Sequence, residues 1–252
     1  MLNRVDLYYF SPTGGTKKTG EILAGEMAGK IEPVNLGEKK ELRAPDGEAA
    51  VFAVPVFGGR IPAVTAEKLQ KLEGGGKKAV TIVVYGTRAY EDALLELNDI
   101  ILGCGFQVIA SGAFVAQHSM VPEVGAGRPD EKDAAEIKEF AAKVLEKLEK
   151  GETKAVQVPG NHPYKEWPGM PAAPVSLPEC KLCGKCASIC PTGAITMGEQ
   201  EVLADASVCT LCMACVAACP EHARILPHPL KETLNQKLGA LKDVRRENET
   251  FL

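Results

Sequence analysis

Two closely spaced runs of cysteine constrain this chain more than any other feature of its sequence. Each run has the spacing C-x2-C-x2-C-x3-C-P, and the eight cysteines are Cys180, Cys183, Cys186, Cys190, Cys209, Cys212, Cys215 and Cys219. Three neighbouring cysteines on a tight loop can bind three corners of an iron–sulfur cubane, but the fourth corner faces away from that loop. A cysteine of the other run is needed there, so the spacing predicts two [4Fe–4S] clusters.

The fourth cysteine of each run is therefore assigned to the cluster of the other run. The first cluster site is predicted to consist of Cys180, Cys183, Cys186 and Cys219. The second cluster site is predicted to consist of Cys209, Cys212, Cys215 and Cys190. Disulfides and zinc are the alternatives for so many thiols. No secretory signal is recognisable and zinc sites do not repeat four cysteines in this way, so iron–sulfur ligation is favoured.

The segment 176–229 resembles the two-cluster bacterial ferredoxins, since it contains both cysteine runs and the prolines that follow them, Pro191 and Pro220. The resemblance implies a small α+β ferredoxin-like domain with two one-electron centres of low potential. It also implies that the two centres are close enough to exchange electrons. Short strands are predicted between the runs at 193–196 and 202–203, where they provide an apolar cover.

Residues 1–150 alternate between short apolar segments and amphipathic segments. Strands are predicted at 5–10, 31–34, 50–56, 79–85 and 106–115, and helices at 17–30, 62–72, 91–102 and 130–150. This alternation predicts an α/β fold, a five-stranded parallel sheet with helices on both faces. In such a sheet the ligand lies beyond the carboxyl ends of the strands, at a switch in the strand order.

The loop after the first predicted strand leads directly into a helix, a setting in which backbone N–H groups and the helix dipole bind phosphate. Its candidate binding residues are Ser11, Thr13, Gly14, Gly15 and Thr16. The loop is not a Walker loop, and no G-x-G-x-x-G motif follows a strand, so no nicotinamide-binding Rossmann site is predicted. A turn that only caps the helix is the alternative.

Two further loops follow the third and fourth predicted strands. The candidate binding residues are Pro55, Val56, Phe57, Gly58, Gly59 and Arg60 in one loop, and Tyr85, Gly86, Thr87, Arg88, Tyr90 and Asp92 in the other. Phe57 and Tyr90 are candidates for stacking on a flat aromatic ligand, and the glycines allow the backbone to approach it closely. Half-buried packing is the alternative for Tyr85 and Tyr90.

Together, the three loops resemble the flavodoxin domain of the flavodoxin–ferredoxin fusion proteins of anaerobes. The resemblance covers nearly the whole chain, flavodoxin-like to about residue 151 and ferredoxin-like from about residue 176, and it implies non-covalently bound FMN. Arg60 and Arg88 depart from it, because flavodoxins tend to surround the flavin with acidic residues. We expect positive charge there to favour the reduced, anionic flavin. Arginines that simply face solvent are the alternative.

The predicted domain boundaries are 1–150 for the flavodoxin-like FMN-binding domain, 151–175 for a proline-rich linker, 176–229 for the ferredoxin domain and 230–252 for a C-terminal helix. The linker contains the only tryptophan, Trp167, and is predicted to be a semi-rigid spacer or a plain connection. The C-terminal helix is expected to pack on the protein or to dock a partner. His118 is a candidate proton carrier, with a structural role as the alternative.

These features predict an electron-transfer protein in which FMN and two [4Fe–4S] clusters exchange electrons with redox partner proteins. No catalytic residue is assigned. The alternatives are a flavin-dependent reductase that acts on a small organic substrate and is fed by its own ferredoxin domain, and a redox sensor. The net charge of −4, without a basic stripe, argues against a nucleic-acid partner. No apolar run is long enough for a membrane span, and a cytoplasmic location is predicted.

Overall fold

A parallel β-sheet forms the centre of the N-terminal part in a computed structural model, which describes residues 1–152 and 154–252. Its strands are β1 (Leu2–Tyr9), β2 (Ala28–Asn35), β3 (Ala49–Pro55), β4 (Lys78–Tyr85) and β5 (Gln107–Val115). The order β2-β1-β3-β4-β5 is that of flavodoxin-like doubly wound sheets, and it confirms the predicted fold class. Thr153, part of the predicted linker 151–175, lies outside the described residues.

Four helices cover the two faces of this sheet. They are α1 (Gly15–Met27), α2 (Ala63–Leu69), α3 (Ala93–Gly103) and α4 (Glu131–Glu149). Leu23 of α1 and Phe140 of α4 lie in the core on one face, whereas Leu69 of α2 and Leu97 of α3 lie in the core on the other. Since β3 and β4 are buried on both faces, their sequences are nearly continuous apolar runs.

The cysteine-rich part forms a small α+β unit with two short helices and two strand pairs. Its elements are β6 (Val175–Ser176), α5 (Lys185–Ser188), β7 (Ile195–Met197), β8 (Val202–Ala204), α6 (Ala214–Ala217) and β9 (Arg224–Ile225). β6 pairs with β9 and β7 pairs with β8, both antiparallel. The two strands predicted between the cysteine runs are therefore present as β7 and β8.

The C-terminal segment differs from the single helix predicted for 230–252. Helix α7 (His228–Leu238) continues only into a short 3-10 turn (Gly239–Leu241), and the chain ends with strand β10 (Glu249–Phe251). β10 pairs antiparallel with β5 and adds a sixth strand to the sheet. A three-residue edge strand is too short to show an alternating pattern, so sequence periodicity did not reveal it. α7 packs back on the protein through the buried Leu234 and Leu238.

The proline-rich linker is held against α3 by hydrogen bonds from its backbone and side chains. Asp92 accepts hydrogen bonds from the backbone N–H groups of Asn161 and Lys165, at 2.9 and 2.6 Å. The Asp99 carboxylate forms hydrogen bonds with the His162 ring, at 2.8 Å, and with the Tyr164 hydroxyl. These contacts support the semi-rigid spacer over the plain connection for this part of the linker. Among the described residues, no helix combines the length and the apolar character needed to cross a bilayer.

A buried ion pair between Arg128 and Asp133 lies at the start of α4, and both residues also hydrogen-bond to the C-terminal tail. The Nε group of Arg128 donates to the Asp133 carboxylate at 2.9 Å, and the Arg128 Nη1 group donates to the carbonyl of Arg246 at 2.6 Å. Asp133 also accepts from the Asn248 side chain at 3.0 Å and completes a capping box with Asp130. Burial opposes ionisation of Asp133, but these donors outweigh it and hold the pKa of Asp133 below its ordinary value.

Replacing Asp133 with alanine should destabilise the protein by roughly 3–5 kcal/mol, because a buried Arg128 charge would lose its partner. Since the pKa of Asp133 is depressed in the folded state, this stabilisation is present above the unfolded-state pKa of about 4 and is lost as the pH falls. Urea unfolding at neutral and acidic pH measures both effects. Lys132→Ala, which removes only exposed ion pairs, is the control and should leave the unfolding midpoint nearly unchanged. An unchanged midpoint for Asp133→Ala would contradict the ion-pair interpretation.

Candidate functional site

A cavity of about 850 Å³ opens at the carboxyl ends of the parallel strands. All three predicted loops contribute to its wall, and so do the segment after β5, the linker and helix α7. The residues of the second cysteine run from Cys209 to Cys212 also line it. The cavity lies where β1 and β3 are neighbours and the strand order reverses, which is where doubly wound sheets bind their ligands.

The loop after β1 offers free hydrogen-bond donors at the entrance to α1. Among the described residues, the backbone N–H groups from Thr13 to Thr16 have no protein partner. Thr16 is buried, lines the cavity and has a hydroxyl group without a hydrogen bond in the described part of the chain. Gly14 has a φ of 94°, which an L side chain rarely adopts. This set of donors fits a phosphate group.

Ser11 has a different role from the one predicted. Its hydroxyl oxygen accepts a hydrogen bond from the backbone N–H of Lys17 at 2.9 Å, so it caps the first turn of α1. Ser11 does not line the cavity. Helix capping, the alternative given for this loop, is therefore the role of Ser11.

The loop after β3 is a tight hairpin against which the linker tryptophan packs. Phe57 and Arg60 form an antiparallel bridge, and Gly58 and Gly59 have φ values of 63° and 93°. A Cβ atom on Gly58 would lie only 2.0 Å from the Trp167 ring, so the indole occupies the space that any side chain would need. Pro55, Val56, Phe57, Gly58, Gly59, Arg60 and Trp167 all line the cavity. Trp167 is 41% exposed and offers an aromatic wall that the predicted loop residues did not include.

The loop after β4 contributes fewer residues than predicted. Tyr85, Gly86 and Arg88 line the cavity, whereas Thr87 is fully buried and its carbonyl accepts a hydrogen bond from Arg246 Nε at 3.0 Å. The imidazole of His118 packs on Gly86, where a Cβ atom would lie 2.5 Å from the His118 ring.

Tyr90 and Asp92 do not line the cavity, so half-buried packing, the alternative for Tyr90, is favoured over stacking on a ligand. The Tyr90 ring is buried against Tyr85, with ring centroids 5.4 Å apart, and its hydroxyl donates to Glu249 of β10 at 2.8 Å. Asp92 anchors the linker instead of a ligand. Both residues stabilise elements that are far away in sequence, and no local pattern indicated those contacts.

The two arginines of these loops are paired with carboxylates. Arg60 donates two hydrogen bonds to Glu96, at 2.8 and 2.7 Å, and Arg88 donates two to Glu91, at 3.1 and 2.9 Å. The loops therefore do not bring uncompensated positive charge to the cavity, and the expected preference for the anionic form of a flavin loses its physical basis.

His118 is held neutral. Burial lowers the pKa of His118 to about 4, and the positive charge of Arg88 contributes to the same shift. Its Nδ1 atom accepts hydrogen bonds from the backbone N–H groups of Met120 and Val121, both at 3.2 Å. In the neutral imidazole the proton must then lie on Nε2. This arrangement favours the structural alternative over a proton carrier.

The two cysteine loops have the same backbone conformation. Leu182 and Leu211 have a φ of 52° at equivalent positions, and Gly184 and Met213 have φ values of 75° and 67°. Gly184 directly precedes α5 and Met213 directly precedes α6, and both helices have four residues. Two non-glycine residues thus adopt the left-handed region in the second loop, which shows that the repeat extends from the sequence to the backbone.

The thiols of the second cluster site lie close together. Burial raises the pKa of the Cys212 thiol to about 11, and the nearby thiols of Cys215, Cys190 and Cys209 raise it further. Cys190 belongs to the first run in sequence but lies with the second run in space. This proximity supports the predicted exchange of the fourth cysteine between the two sites.

Backbone N–H groups point at the cysteine sulfurs, as the chemistry of a cluster requires. Leu211 donates to Cys209 Sγ at 3.4 Å, and Ala223 donates to Cys219 Sγ at 3.3 Å. Such bonds stabilise thiolates and tune the potential of a bound cluster. Within the described ranges, no three His, Cys, Asp or Glu side chains converge on a site for a single metal ion. A [4Fe–4S] cubane does not need such a site, because it binds each of its four thiolates at a different corner.

Comparisons with known proteins found a family match for the cysteine-rich part and similar solved structures for the N-terminal part. Residues 179–223 match the family model of the 4Fe-4S dicluster domain. The flavodoxin of Streptococcus pneumonia TIGR4 is 18% identical, with a TM-score of 0.41 over 57% of this chain and 99% of that chain. Flavodoxin 1 of Bacillus cereus is 14% identical, with a TM-score of 0.43 over 57% and 98% of the two chains. No curated protein matched the chain.

The strand order and the dicluster match together define the class of the protein. It combines a flavodoxin-like α/β domain with a 4Fe–4S dicluster domain. This combination fits a flavodoxin–ferredoxin fusion protein, as the resemblance of the sequence implied.

Replacing Cys190 with serine should impair the second cluster site, although Cys190 lies in the first cysteine run. The EPR spectrum and iron content of Cys190→Ser should therefore match those of Cys212→Ser and differ from those of Cys183→Ser. Cys104→Ser is the control, because Cys104 lies by α2, where its thiol donates to the carbonyl of Leu69, and this variant should keep its full iron content. A Cys190→Ser spectrum that matches Cys183→Ser would show that each run binds its own cluster.

Proposed function

We propose that this protein transfers electrons between FMN, bound in the cavity, and two [4Fe–4S] clusters bound by the cysteine runs. One observation carries the proposal: the same cavity is lined by the loops at the switch point of the sheet and by Cys209–Cys212 of the second cluster site. A flavin in this cavity would contact the loop that binds a cluster, without an intervening layer of protein.

The residues for FMN fall into two groups. The free N–H groups from Thr13 to Thr16 and the Thr16 hydroxyl would bind the phosphate. The hairpin at Gly58–Gly59, the Trp167 indole and the loop from Tyr85 to Gly86 would enclose the ring. Bound there, FMN would supply a centre that exchanges both single electrons and electron pairs, while the protein supplies position, charge and exclusion of water.

The two cluster sites differ in their surroundings. Cys209 and Cys212 of the second site line the cavity, whereas Cys183 of the first site is exposed. We therefore place the second site next to the flavin and the first site next to a redox partner protein. The exposed Lys181 and Lys185 flank Cys183, so the partner surface is expected to be acidic.

A reductase that acts on a small organic substrate is the second candidate function. The cavity extends beyond the flavin loops to Met120, Met170 and Leu238, which leaves apolar space for such a molecule. The two titratable side chains considered for this region, Tyr90 and His118, are however poorly suited to donate a proton to such a substrate. Tyr90 lies outside the cavity and donates to Glu249, and burial, together with that hydrogen bond, raises its pKa. His118 is neutral. The carrier is the function that the geometry supports better.

Anaerobic reconstitution tests the proposed function directly. Protein loaded with iron, sulfide and FMN should contain both kinds of cofactor, and titration with dithionite should reduce the flavin absorbance and produce the EPR signals of reduced clusters. After rapid reduction of the clusters, electrons should pass to the flavin within the same chain, and the rate of this transfer should not depend on protein concentration. A chain that binds iron but no FMN would overturn the assignment of the cavity, and a concentration-dependent rate would overturn intramolecular transfer.

Trp167 should report FMN binding, because it is the only tryptophan of the chain and lies at the cavity. We expect FMN to quench its fluorescence on binding. Trp167→Ala should weaken FMN binding by about 0.5–1.5 kcal/mol, the usual contribution of aromatic stacking, and Trp167→Phe should restore most of the affinity.

The control for this experiment is Leu203→Ala, which removes a half-exposed apolar side chain that does not line the cavity. Its FMN affinity should equal that of the unaltered protein, as measured by flavin fluorescence. FMN binding without any change in the tryptophan fluorescence would contradict the position of the indole at the ring.

A further inference from the structure

Arg224 is a buried cation without a carboxylate partner. Only 2% of it is exposed, and it forms no ion pair with any described residue. Its Nη1 group donates to Ser176 Oγ at 2.9 Å and its Nη2 group donates to the carbonyl of Pro174 at 2.6 Å. Its Nε group has no partner in the described part of the chain. Burying an unpaired charge is costly, so its place in the structure requires a compensating negative charge.

Arg224 lies next to a cysteine of each cluster site. The preceding residue, Ala223, donates its backbone N–H to Cys219 Sγ at 3.3 Å, and Cys219 is assigned to the first site. Strand β9, which begins at Arg224, packs against α6, the helix that contains Cys215 of the second site. The negative charge closest to Arg224 would therefore be that of the thiolates and clusters.

The repeat within the chain shows that an arginine is not needed to fill this position. In the first run, Cys190 is followed by Pro191, Thr192, Gly193, Ala194 and Ile195. In the second run, Cys219 is followed by Pro220, Glu221, His222, Ala223 and Arg224. Ile195 is the equivalent of Arg224 and is 7% exposed, so an apolar side chain packs well at that place. The positive charge is present in one half of the repeat only.

We propose that Arg224 tunes the reduction potentials of the two clusters and makes them unequal. This inference rests on the proposed binding of clusters by the eight cysteines. A cluster with four thiolates carries negative charge, which grows by one unit when it takes up one electron from a donor. No bond forms or breaks at Arg224 in this step. Because the site is buried, its fixed positive charge stabilises the reduced cluster and raises the potential.

The test compares variants of the full-length, cluster-loaded protein in an EPR-monitored redox titration. Arg224→Ile introduces the residue found at the equivalent place in the first half of the repeat. It should lower the equilibrium constant for reduction of one cluster at least tenfold, which corresponds to 59 mV for one electron. Arg224→Lys keeps the charge and should stay closer to the unaltered protein. Lys185→Gln removes an exposed charge beside Cys186 and serves as the control, because solvent and salt screen it.

Unchanged potentials in Arg224→Ile, with full iron content and both EPR signals, would overturn the inference. If that variant does not assemble its clusters, Arg224→Gln removes the charge and keeps hydrogen-bonding groups. A lowered potential in Arg224→Gln would support the inference, and a potential equal to that of Arg224→Lys would overturn it. Failure of the unaltered protein to bind iron is a different outcome, since it would overturn the proposed function itself.

Discussion

The shape of an iron–sulfur cubane imposes one constraint on which the rest of this structure depends: three thiolates can come from one tight loop, but the fourth must come from elsewhere. In the proposed arrangement the fourth thiolate of each site comes from the other run, so the two loops must fold against each other. Their similar backbone conformations at Leu182 and Leu211, and at Gly184 and Met213, fit this shared task. Cys190 is accordingly found among the thiols of the second run.

The cysteine-rich unit is tied to the α/β domain at both of its ends. Before it, Asp92 and Asp99 hold the linker against α3, and after it, α7 packs on the protein and β10 joins the sheet. The α/β domain is therefore completed by residues that follow the cysteines in sequence. Two connections limit how far the second cluster site can move from the cavity, which is what transfer between two fixed centres requires.

Charged side chains are arranged differently around the cavity and around the cysteines. Around the cavity, Arg60 and Arg88 are each paired with a glutamate, and His118 is neutral, so the loops proposed to bind the flavin carry little net charge. Around the cysteines, Arg224 is buried without a carboxylate. Paired arginines hold loops in place, whereas an unpaired buried arginine acts on whatever charge lies beside it. This contrast supports the proposed electrostatic tuning of the clusters and leaves mainly shape and hydrogen bonding to the proposed flavin site.

The amino-acid sequence by itself determined the α/β class, the five parallel strands, the dicluster cysteine motif and the three loops, because each depends on a local period, a spacing or a turn. The tertiary structure alone decided which loop residues face the cavity. Tyr90 and Asp92 turn away because their partners, Glu249 and the linker backbone, are distant in sequence. Trp167 reaches the cavity, and β10 reaches β5, through a chain path that no local pattern records. Contacts between distant segments depend on how the elements pack, and packing is a property of the whole fold.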